Sequence, residues 1–329
     1  VGKRDSRCLQ PRHVRLAVLL FILLGTGLTV AWVEAPQAED IAVSGRVTNG
    51  TTDGDVPEDL PITLHAFSEM EETGVYTTTL LAGGSFRFDD ISLDEGDTVV
   101  ARAVYAGVTS VSEFSTIEQG QEQLSLPVTI YETTSDPSEV AVFQLHLFLN
   151  RVSEQIQVGA HIVMGNTGNR TYVGSSDDGM RTTWSARLPD AATDLRFDGG
   201  TLGGRFVSLE HGFADTRPIP PGGARVETSF TYELPLQEEV EIEQSFDVPV
   251  RAVILVLLEG EWALEGASIS SQGTLDTQMG PALSYAAGPL SANAPLSFAI
   301  VPSSSGDSAA ADDQSSSGLG VGIAALIAA

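Results

Sequence analysis

Closely spaced carboxylates occur in one short polar stretch, NGTTDGDVPEDL, at residues 49–60. Asp53, Asp55, Glu58 and Asp59 surround a glycine there, and Ca²⁺ takes about 6–8 oxygen ligands of this kind. The stretch lacks the spacing of an EF-hand loop and has no glutamate at its twelfth position. Composition therefore favours a solvated acidic loop, with Asp53, Asp55 and Asp59 as candidate calcium ligands.

Histidine is the other residue type that binds metals or transfers protons near neutral pH. His146 alternates with leucines in one predicted strand, and His161 lies between Ala160 and Ile162 in the next. Paired histidines on neighbouring strands can bind a metal ion, but satisfied or solvent-facing histidines are the more common arrangement. We therefore assign no metal site to this pair from the sequence.

Motifs of the common enzyme classes are absent from the sequence. None of the five histidines, which include His13, His65 and His211, has glutamate three positions later, so a His-x-x-Glu zinc motif does not occur. HExxH, G-x-S-x-G, a P-loop and a dinucleotide fingerprint are also missing. The glycine pairs of residues 199–206 lack a strand-to-helix context, and SSDDGM at 175–180 is ordinary turn chemistry. We predict a protein that is not an enzyme.

Charge and cysteine content further restrict the possible partners and the possible chemistry. Acidic residues number 44 against 17 basic ones, and five of the basic ones lie in the first 15 residues. Such a surface repels nucleic acid and favours cationic partners. Cys8 is the single cysteine and precedes an apolar segment, so the chain beyond it has no disulfide or cysteine nucleophile. We expect a protein or cell-surface ligand as partner, and no nucleic acid.

Apolar segments near both ends predict membrane targeting. Residues 16–33 are an uncharged run of 18 behind a basic flank, the order of a signal peptide or signal anchor. Residues 303–318 have the composition of a flexible stalk, and the apolar residues 319–329 follow them. We expect export, residues 1–38 as a signal or anchor helix and residues 319–329 as the start of a C-terminal transmembrane segment. The bulk of the chain would then lie outside the cell membrane, in an extracellular or periplasmic space.

The intervening chain has the pattern of short strands. Alternating segments recur about every 8–12 residues between Gly, Pro, Asp and Asn, which is typical of an all-β sandwich or barrel. Alternate residues from Val226 to Tyr232 fall on one predicted face. The apolar run 252–258 predicts a strand buried on both faces, and the proline-rich segment 215–223 predicts a surface connection.

These patterns predict the fold class and its division. We expect an all-β protein of two consecutive antiparallel β-sandwich domains, at residues 39–135 and 136–302, between the two terminal membrane helices. The boundary is placed at Asp136-Pro137, a dipeptide that favours a turn.

The stretch LLAGGSFRFDDI, residues 80–91, is the most specific example of this strand-and-turn pattern. Gly83-Gly84 predicts a hairpin turn, and Phe86 and Phe88 alternate onto one buried face. Ile91 follows a predicted turn at Asp89-Asp90 and is expected to be buried.

This order of elements closely resembles the transthyretin-like, or carboxypeptidase regulatory-like, domain over about residues 40–132. In that family a V-x-G-x-V strand precedes L-P-x-x-V-x-L, G-x-F-x-F-x-x-I and G-x-Y-x-V-x-A-x-x-x-G segments. The signature residues that match are Gly45, Pro61, Gly84, Phe86, Phe88, Ile91, Gly96 and Gly107. The resemblance implies a prealbumin-like sandwich, here expected to have seven strands, that recurs as a passive module. The zinc motif of the associated carboxypeptidases is absent, as is the Tyr-Arg-Gly-Ser motif of the family's hydroxyisourate hydrolases.

The second half is similar only in general style to membrane-anchored prokaryotic proteins that carry such a domain. We predict a non-catalytic, membrane-tethered, extracytoplasmic protein that acts as a structural, adhesive or ligand-binding module. Two alternatives stay open. One is an accessory factor in the maturation of cytochromes or other redox proteins, and the other is a hydrolase with an unrecognised site in residues 139–301.

Overall fold

The chain folds into β-strands joined by turns and loops. The computed structural model describes residues 39–303, apart from residues 178–179, 224–225, 259 and 279. The predicted segments 1–38 and 319–329, and the predicted stalk from residue 304 onward, lie outside the described residues. Within the described ranges, no helix has the length and apolar character that a membrane crossing needs.

Nine strands make up the first half. One sheet has the order β4-β1-β8 with β9 also beside β1, and the other has the order β3-β2-β5-β6 with β7 also beside β5. The strands are β1 (Glu39–Asn49), β2 (Pro61–Ser68), β3 (Glu71–Thr79), β4 (Ser85–Leu93), β5 (Thr98–Tyr105), β6 (Val108–Val111), β7 (Ser115–Thr116), β8 (Gln123–Ser125) and β9 (Val128–Ile130).

The second half contains a seven-stranded sheet, β17-β20-β12-β11-β22-β25-β24, and a six-stranded sheet, β18-β19-β16-β21-β26-β23. Two small sheets pair β10 with β13 and β14 with β15. The strands are β10 (Thr133–Thr134), β11 (Val140–Val152), β12 (Gln155–Asn166), β13 (Thr171–Tyr172), β14 (Ser175–Asp177), β15 (Met180–Thr182), β16 (Trp184–Arg187), β17 (Thr193–Asp198), β18 (Phe206–Leu209), β19 (Gly212–Asp215), β20 (Val226–Pro235), β21 (Val240–Phe246), β22 (Val253–Leu258), β23 (Trp262–Glu265), β24 (Ile269–Thr277), β25 (Gly280–Ala287) and β26 (Leu296–Pro302).

Buried apolar side chains form two clusters, one in each half. The first cluster extends along the chain from Ile41 to Ile130, and the second from Val140 to Ile300. Residues 131–139 contribute to neither cluster. The described fold is therefore all-β and sandwich-like, with each cluster formed from the inward faces of its own sheets.

Strand direction differs from the expected antiparallel arrangement. β1 pairs in parallel with β8 and β9, β11 pairs in parallel with β22, and β10 pairs in parallel with β13. Alternation of apolar and polar residues specifies which face is buried, but it carries no information on strand direction. The parallel pairs make these sheets mixed rather than antiparallel, and the sequence pattern could not reveal it.

The first half also has nine strands where seven were expected. Part of the difference comes from LSLPVTI, predicted as one strand, which is divided into β8 and β9 at Leu126-Pro127. Proline has no backbone N–H to donate to a ladder, so pairing with β1 is interrupted there and resumes at Val128.

The predicted burial of Phe86, Phe88 and Ile91 is confirmed, with exposed fractions of 1%, 4% and 3%. The two phenyl rings meet edge to face, with centroids 6.0 Å apart. Arg87 between them is exposed, as the alternation predicted.

The predicted turn at Asp89-Asp90 is wrong, because both residues lie within β4. Phe88 pairs with Val43 and Ile91 pairs with Ile41, so a β-bulge places two residues of β4 opposite one of β1. The extra residue shifts the two-residue period of the strand, and Phe88 and Ile91 reach the same face although they are three positions apart.

Gly83 and Gly84 occupy a turn, with φ of 79° and 76°. The turn does not close a hairpin, since β3 and β4 belong to different sheets. A Cβ at Gly84 would lie 2.8 Å from the carbonyl oxygen of Val47 on β1. The two glycines therefore carry the chain from one sheet to the other, where the backbones approach too closely for a side chain.

The other signature residues lie at a strand start, in turns or at a close packing contact. Pro61 is the first residue of β2, where a missing N–H is tolerated. Gly96 and Gly107 have φ of 91° and 77° in turns. A Cβ at Gly45 would overlap the ring of Phe86. These residues serve the architecture of the first half.

Burial confirms one strand prediction in the second half and part of another. The alternate residues of β20 from Val226 to Tyr232 are each at most 3% exposed. In β22, Leu255 on the inner face is fully buried. On the opposite face Val256 is 6% exposed, but Ile254 and Leu258 are only half-buried, so the second face is buried in part.

Candidate functional site

His146 and His161 lie directly opposite each other on β11 and β12. Their ring centroids are 6.1 Å apart, and their planes are inclined by 43°. Leu145 and Leu147 turn into the core, so the histidines project from the outer face of the seven-stranded sheet, where both are half-buried. The sequence indicated neighbouring strands, and the register of the strands brings the two rings together.

A row of polar residues extends from this pair across the sheet. Ser229 on β20 lies opposite His161, and its Oγ is 3.0 Å from the imidazole Nδ1. Asp198 on β17 lies opposite Ser229. Burial lowers the pKa of His146 from its ordinary value, and the neighbouring His161 lowers it further. The imidazole of His146 is therefore mainly neutral at pH 7 and can act as a ligand or an acceptor.

The other described histidines form separate pairs with carboxylates. His65 Nδ1 lies 2.6 Å from Glu72 Oε1, and His211 Nδ1 lies 2.9 Å from Asp190 Oδ1. His13 lies outside the described residues. No three His, Cys, Asp or Glu side chains converge to hold a metal in the part of the chain that the structure describes.

Two hydrogen bonds of the Asn49 side chain hold the acidic loop. The side-chain N–H of Asn49 donates to the carbonyl oxygen of Asp55 at 2.8 Å, and the backbone N–H of Thr51 donates to Asn49 Oδ1 at 3.0 Å. Asp53, Asp55 and Asp59 are all exposed. They belong to no described group of three metal-ligating side chains. The calcium hypothesis stays a prediction from composition.

The two glycine-containing motifs lie within or between strands of the second half. Ser175–Asp177 and Met180–Thr182 are the strands of a small antiparallel hairpin. Gly199 and Gly203, with φ of 76° and 80°, lie between β17 and β18. Phe206, which ends the second motif, is fully buried.

An enclosed ion pair in the second half was missed from the sequence. Arg205 Nε donates to Asp215 Oδ1 at 2.9 Å, and Arg205 Nη2 donates to Asp215 Oδ2 at 2.5 Å. Nη2 also lies 2.6 Å from Thr228 Oγ1, and the backbone N–H of Arg217 donates to Asp215 Oδ1 at 2.9 Å. The carboxylate is fully buried and has several donors, which fits a structural role.

This ion pair corrects the predicted surface connection at residues 215–223. Asp215 and Ile219 are both 0% exposed, and Pro221 is also buried. Ile219 forms an isolated bridge with Tyr172. Proline content correctly indicated a lack of regular ladder pairing, but it does not measure exposure.

A polar junction links residues of the two halves. Thr51 Oγ1 donates to the carbonyl oxygen of Asn169 at 2.9 Å and accepts from the backbone N–H of Glu132 at 2.9 Å. Tyr105 donates its hydroxyl to Glu132 Oε1 at 2.7 Å, and this hydrogen bond is the main cause that raises the pKa of Tyr105. The sequence offered no signal for these contacts, because their partners are far apart along the chain.

Strand β24 forms one end of the seven-stranded sheet. It pairs with β25 on one side, and no described strand pairs with residues 269–275 on the other. These residues, ISSQGTL, include no charge, lysine or proline, and the five from Ser270 to Thr274 are exposed. At the opposite end of the sheet, β17 carries Asp194 and Arg196. Edge strands commonly carry charges or proline that block pairing with another chain, and β24 lacks both over this stretch. Its one irregularity is a bulge beside Gly273.

Two shallow surface clefts lie apart from the histidine row. The larger, of about 400 Å³, is lined by Ala191, Leu234, Pro235, Gln237, Glu239, Val240 and Glu241. The smaller, of about 230 Å³, lies between β24 and β25 near Ile269 and Ala286. Neither of these two clefts is lined by a histidine.

No family model matches the chain, and no curated protein matches it. Among solved structures, it is similar to a mutant two-domain M1 zinc metallopeptidase, in complexes with L-tryptophan and with L-arginine. Identity is 10% in both, with TM-scores of 0.32 and 0.29. The match covers 50% of this chain and 43% of each of those chains, so less than half of the peptidase is spanned. At these TM-scores the likeness carries no argument about fold or activity.

Proposed function

We propose that this chain is a non-catalytic, membrane-tethered, extracytoplasmic protein that binds a partner through an exposed strand edge. In this proposal it consists of two consecutive β-sandwich domains, and the first is similar to transthyretin-like regulatory domains. The support for the domain assignment is the division of the buried apolar side chains into two clusters and the signature residues of the first half.

The observation that carries the binding proposal is the uncharged edge of residues 269–275, on the side away from β25. An extended peptide can add to such an edge as a further strand, with main-chain hydrogen bonds that supply affinity and side-chain contacts that supply specificity. Residues 269–275 are uncharged, the five from Ser270 to Thr274 are exposed, and no described strand pairs with them on the side away from β25.

Charge complementarity indicates the kind of peptide. Residues 39–303 contain 39 acidic residues against 12 arginines and no lysine. A strongly negative protein attracts cationic partners and repels anionic ones, most effectively at low ionic strength. The proposed partner therefore presents an extended segment with net positive charge.

A library of displayed extended peptides, screened with the full chain, tests this proposal. We expect enrichment of cationic sequences that bind more weakly as salt rises. Thr274→Lys, which adds a charge to the edge of β24, should reduce their affinity at least tenfold. Thr193→Lys adds the same charge to the opposite edge of the sheet and should have little effect.

Two results would contradict the proposal. One is equal binding by the Thr274→Lys variant and the unmodified protein, and the other is binding that salt does not affect. Mass spectrometry of the recovered peptides tests the non-catalytic part, because cleavage or modification of the peptides would contradict it.

A further inference from the structure

The histidine pair on the outer face of the seven-stranded sheet has no role in the proposed strand addition. We propose that His146 and His161 together bind one late first-row divalent cation, such as Cu²⁺ or Zn²⁺. This site goes beyond the proposed partner-binding function, because an ion can bind to the pair whether or not a peptide occupies β24.

The separation of the rings fits a shared ion. A nitrogen of each imidazole lies about 2.0–2.1 Å from a bound zinc-sized ion, which places two ring centroids about 4.5 Å apart for a right angle at the ion and about 6.4 Å apart for a linear arrangement. The observed 6.1 Å lies near the linear end of this interval, so the rings must approach each other by about 1 Å to reach the ~5.2 Å of a tetrahedral site. Both histidines are held at directly opposite positions of a long antiparallel pair, where side chains on one face are close neighbours.

A hydrogen bond orients one of the two ligands. Ser229 Oγ lies 3.0 Å from His161 Nδ1. When Nδ1 donates to this oxygen, Nε2 carries the free lone pair and is the nitrogen that can bind a metal. Metal-ligating histidines in proteins usually donate their other ring N–H in this way, which fixes both the tautomer and the ring orientation.

The acidic side chains nearby favour a positively charged ligand. Glu227 follows the same outer face of β20 two residues from Ser229, and Asp198 lies opposite Ser229 on β17. Both carboxylates are exposed and add negative potential near the pair.

The ligand count indicates the metal class. Among the described residues no third His, Cys, Asp or Glu converges on the pair, so solvent would supply the other ligands of a bound ion. Two imidazoles suit copper and zinc, with copper bound more tightly in the usual order of affinities, whereas Mg²⁺ and Ca²⁺ prefer oxygen ligands.

Titration of the full chain, purified without a histidine tag, with Cu²⁺ or Zn²⁺ tests the proposal. We expect one ion per chain and, with Cu²⁺, an electron paramagnetic resonance spectrum with hyperfine coupling to two imidazole nitrogens. His146→Gln and His161→Gln should each weaken binding at least tenfold. Ser229→Ala should weaken it about tenfold through loss of orientation. His65→Gln is the matched control and should bind as the unmodified protein does.

Unchanged Cu²⁺ affinity in both His146→Gln and His161→Gln would overturn the proposal. If these variants do not fold, the spectrum of the unmodified protein decides the question. Coupling to two imidazole nitrogens would then support the site, and coupling to one or none would overturn it.

Discussion

Arg205 and Asp215 form a two-point ion pair, with donor–acceptor distances of 2.9 and 2.5 Å, around a carboxylate that is fully buried. The side chain of Arg205 is only 17% exposed. Neither charge can be removed without leaving the other unpaired in a site of restricted solvation.

Replacement of Arg205 by methionine should therefore destabilise the fold strongly. The buried carboxylate would lose its cation, and breaking a buried pair in this way costs about 3–5 kcal/mol of unfolding free energy. Urea unfolding measures the loss. Arg196→Met is the control, because Arg196 pairs with Asp194 at the surface, where an ion pair contributes about 0–1 kcal/mol. A loss at Arg205 no larger than that at Arg196 would contradict the structural role.

Phe86→Ala should destabilise the first half by about 3–5 kcal/mol, the usual effect of removing a buried phenyl group. Phe86 is 1% exposed and packs against Phe88. Phe114→Ala is the control, because Phe114 is 67% exposed, and it should change stability by less than about 0.5 kcal/mol. Thermal unfolding of the two variants makes the comparison, and similar losses in both would show that the ring of Phe86 is not buried.

Tyr232→Phe should change the alkaline stability of the protein. Burial raises the pKa of Tyr232 well above the ordinary value of about 10. The folded state therefore holds the phenol proton at pH values where the unfolded chain has released it, so stability falls as pH rises above about 10. Unfolding curves measured from pH 8 upward should show a smaller fall in the variant.

The same substitution has a separate effect at pH 7. It removes the hydrogen bond from Tyr232 to Gln244 Oε1, 3.2 Å long and fully buried, which costs about 1–3 kcal/mol. Gln244→Leu separates the two effects, because it removes the acceptor but keeps the phenol. Gln244→Leu should lose stability at alkaline pH as the unmodified protein does. If its loss is instead as small as that of Tyr232→Phe, ionisation of the phenol does not cause the loss.

Thr51→Val should weaken the polar junction. Thr51 is 4% exposed, and valine would leave the backbone N–H of Glu132 and the carbonyl oxygen of Asn169 without this partner. We expect a loss of about 1–3 kcal/mol and faster proteolysis of residues 131–139. Thr52→Val, which removes a hydrogen bond to the exposed side chain of Asn169, should have a smaller effect. Equal proteolysis rates in the two variants would contradict the role of Thr51.

Burial was the part of the fold that the sequence predicted best. Phe86, Phe88 and the alternating face of β20 are buried as expected, because a two-residue period states directly which side chains share a face. The bulge in β4 was not predicted. It depends on the register with β1, which a single strand's sequence does not contain.

The candidate sites were predicted less completely, because they also depend on the register between strands. The histidine alternation indicated that His146 lies on one face of its strand, but the contact with His161 depends on register. Arg205 directly precedes β18, Asp215 ends β19, and both meet Thr228 from the other large sheet. Asp215 begins a proline-rich segment that resembles a surface loop when only composition is considered, so its burial was missed.

The parallel partners of β1 determine when the first sheet can be completed during synthesis. β1 ends at Asn49, but the strands beside it, β8 and β9, end only at Ile130. A chain that emerges from the ribosome or an export channel with its N-terminus first must therefore hold β1 with one side unpaired while about eighty further residues appear. Such distant pairing slows folding. Fragments that stop before Gln123 would keep that side open and should aggregate.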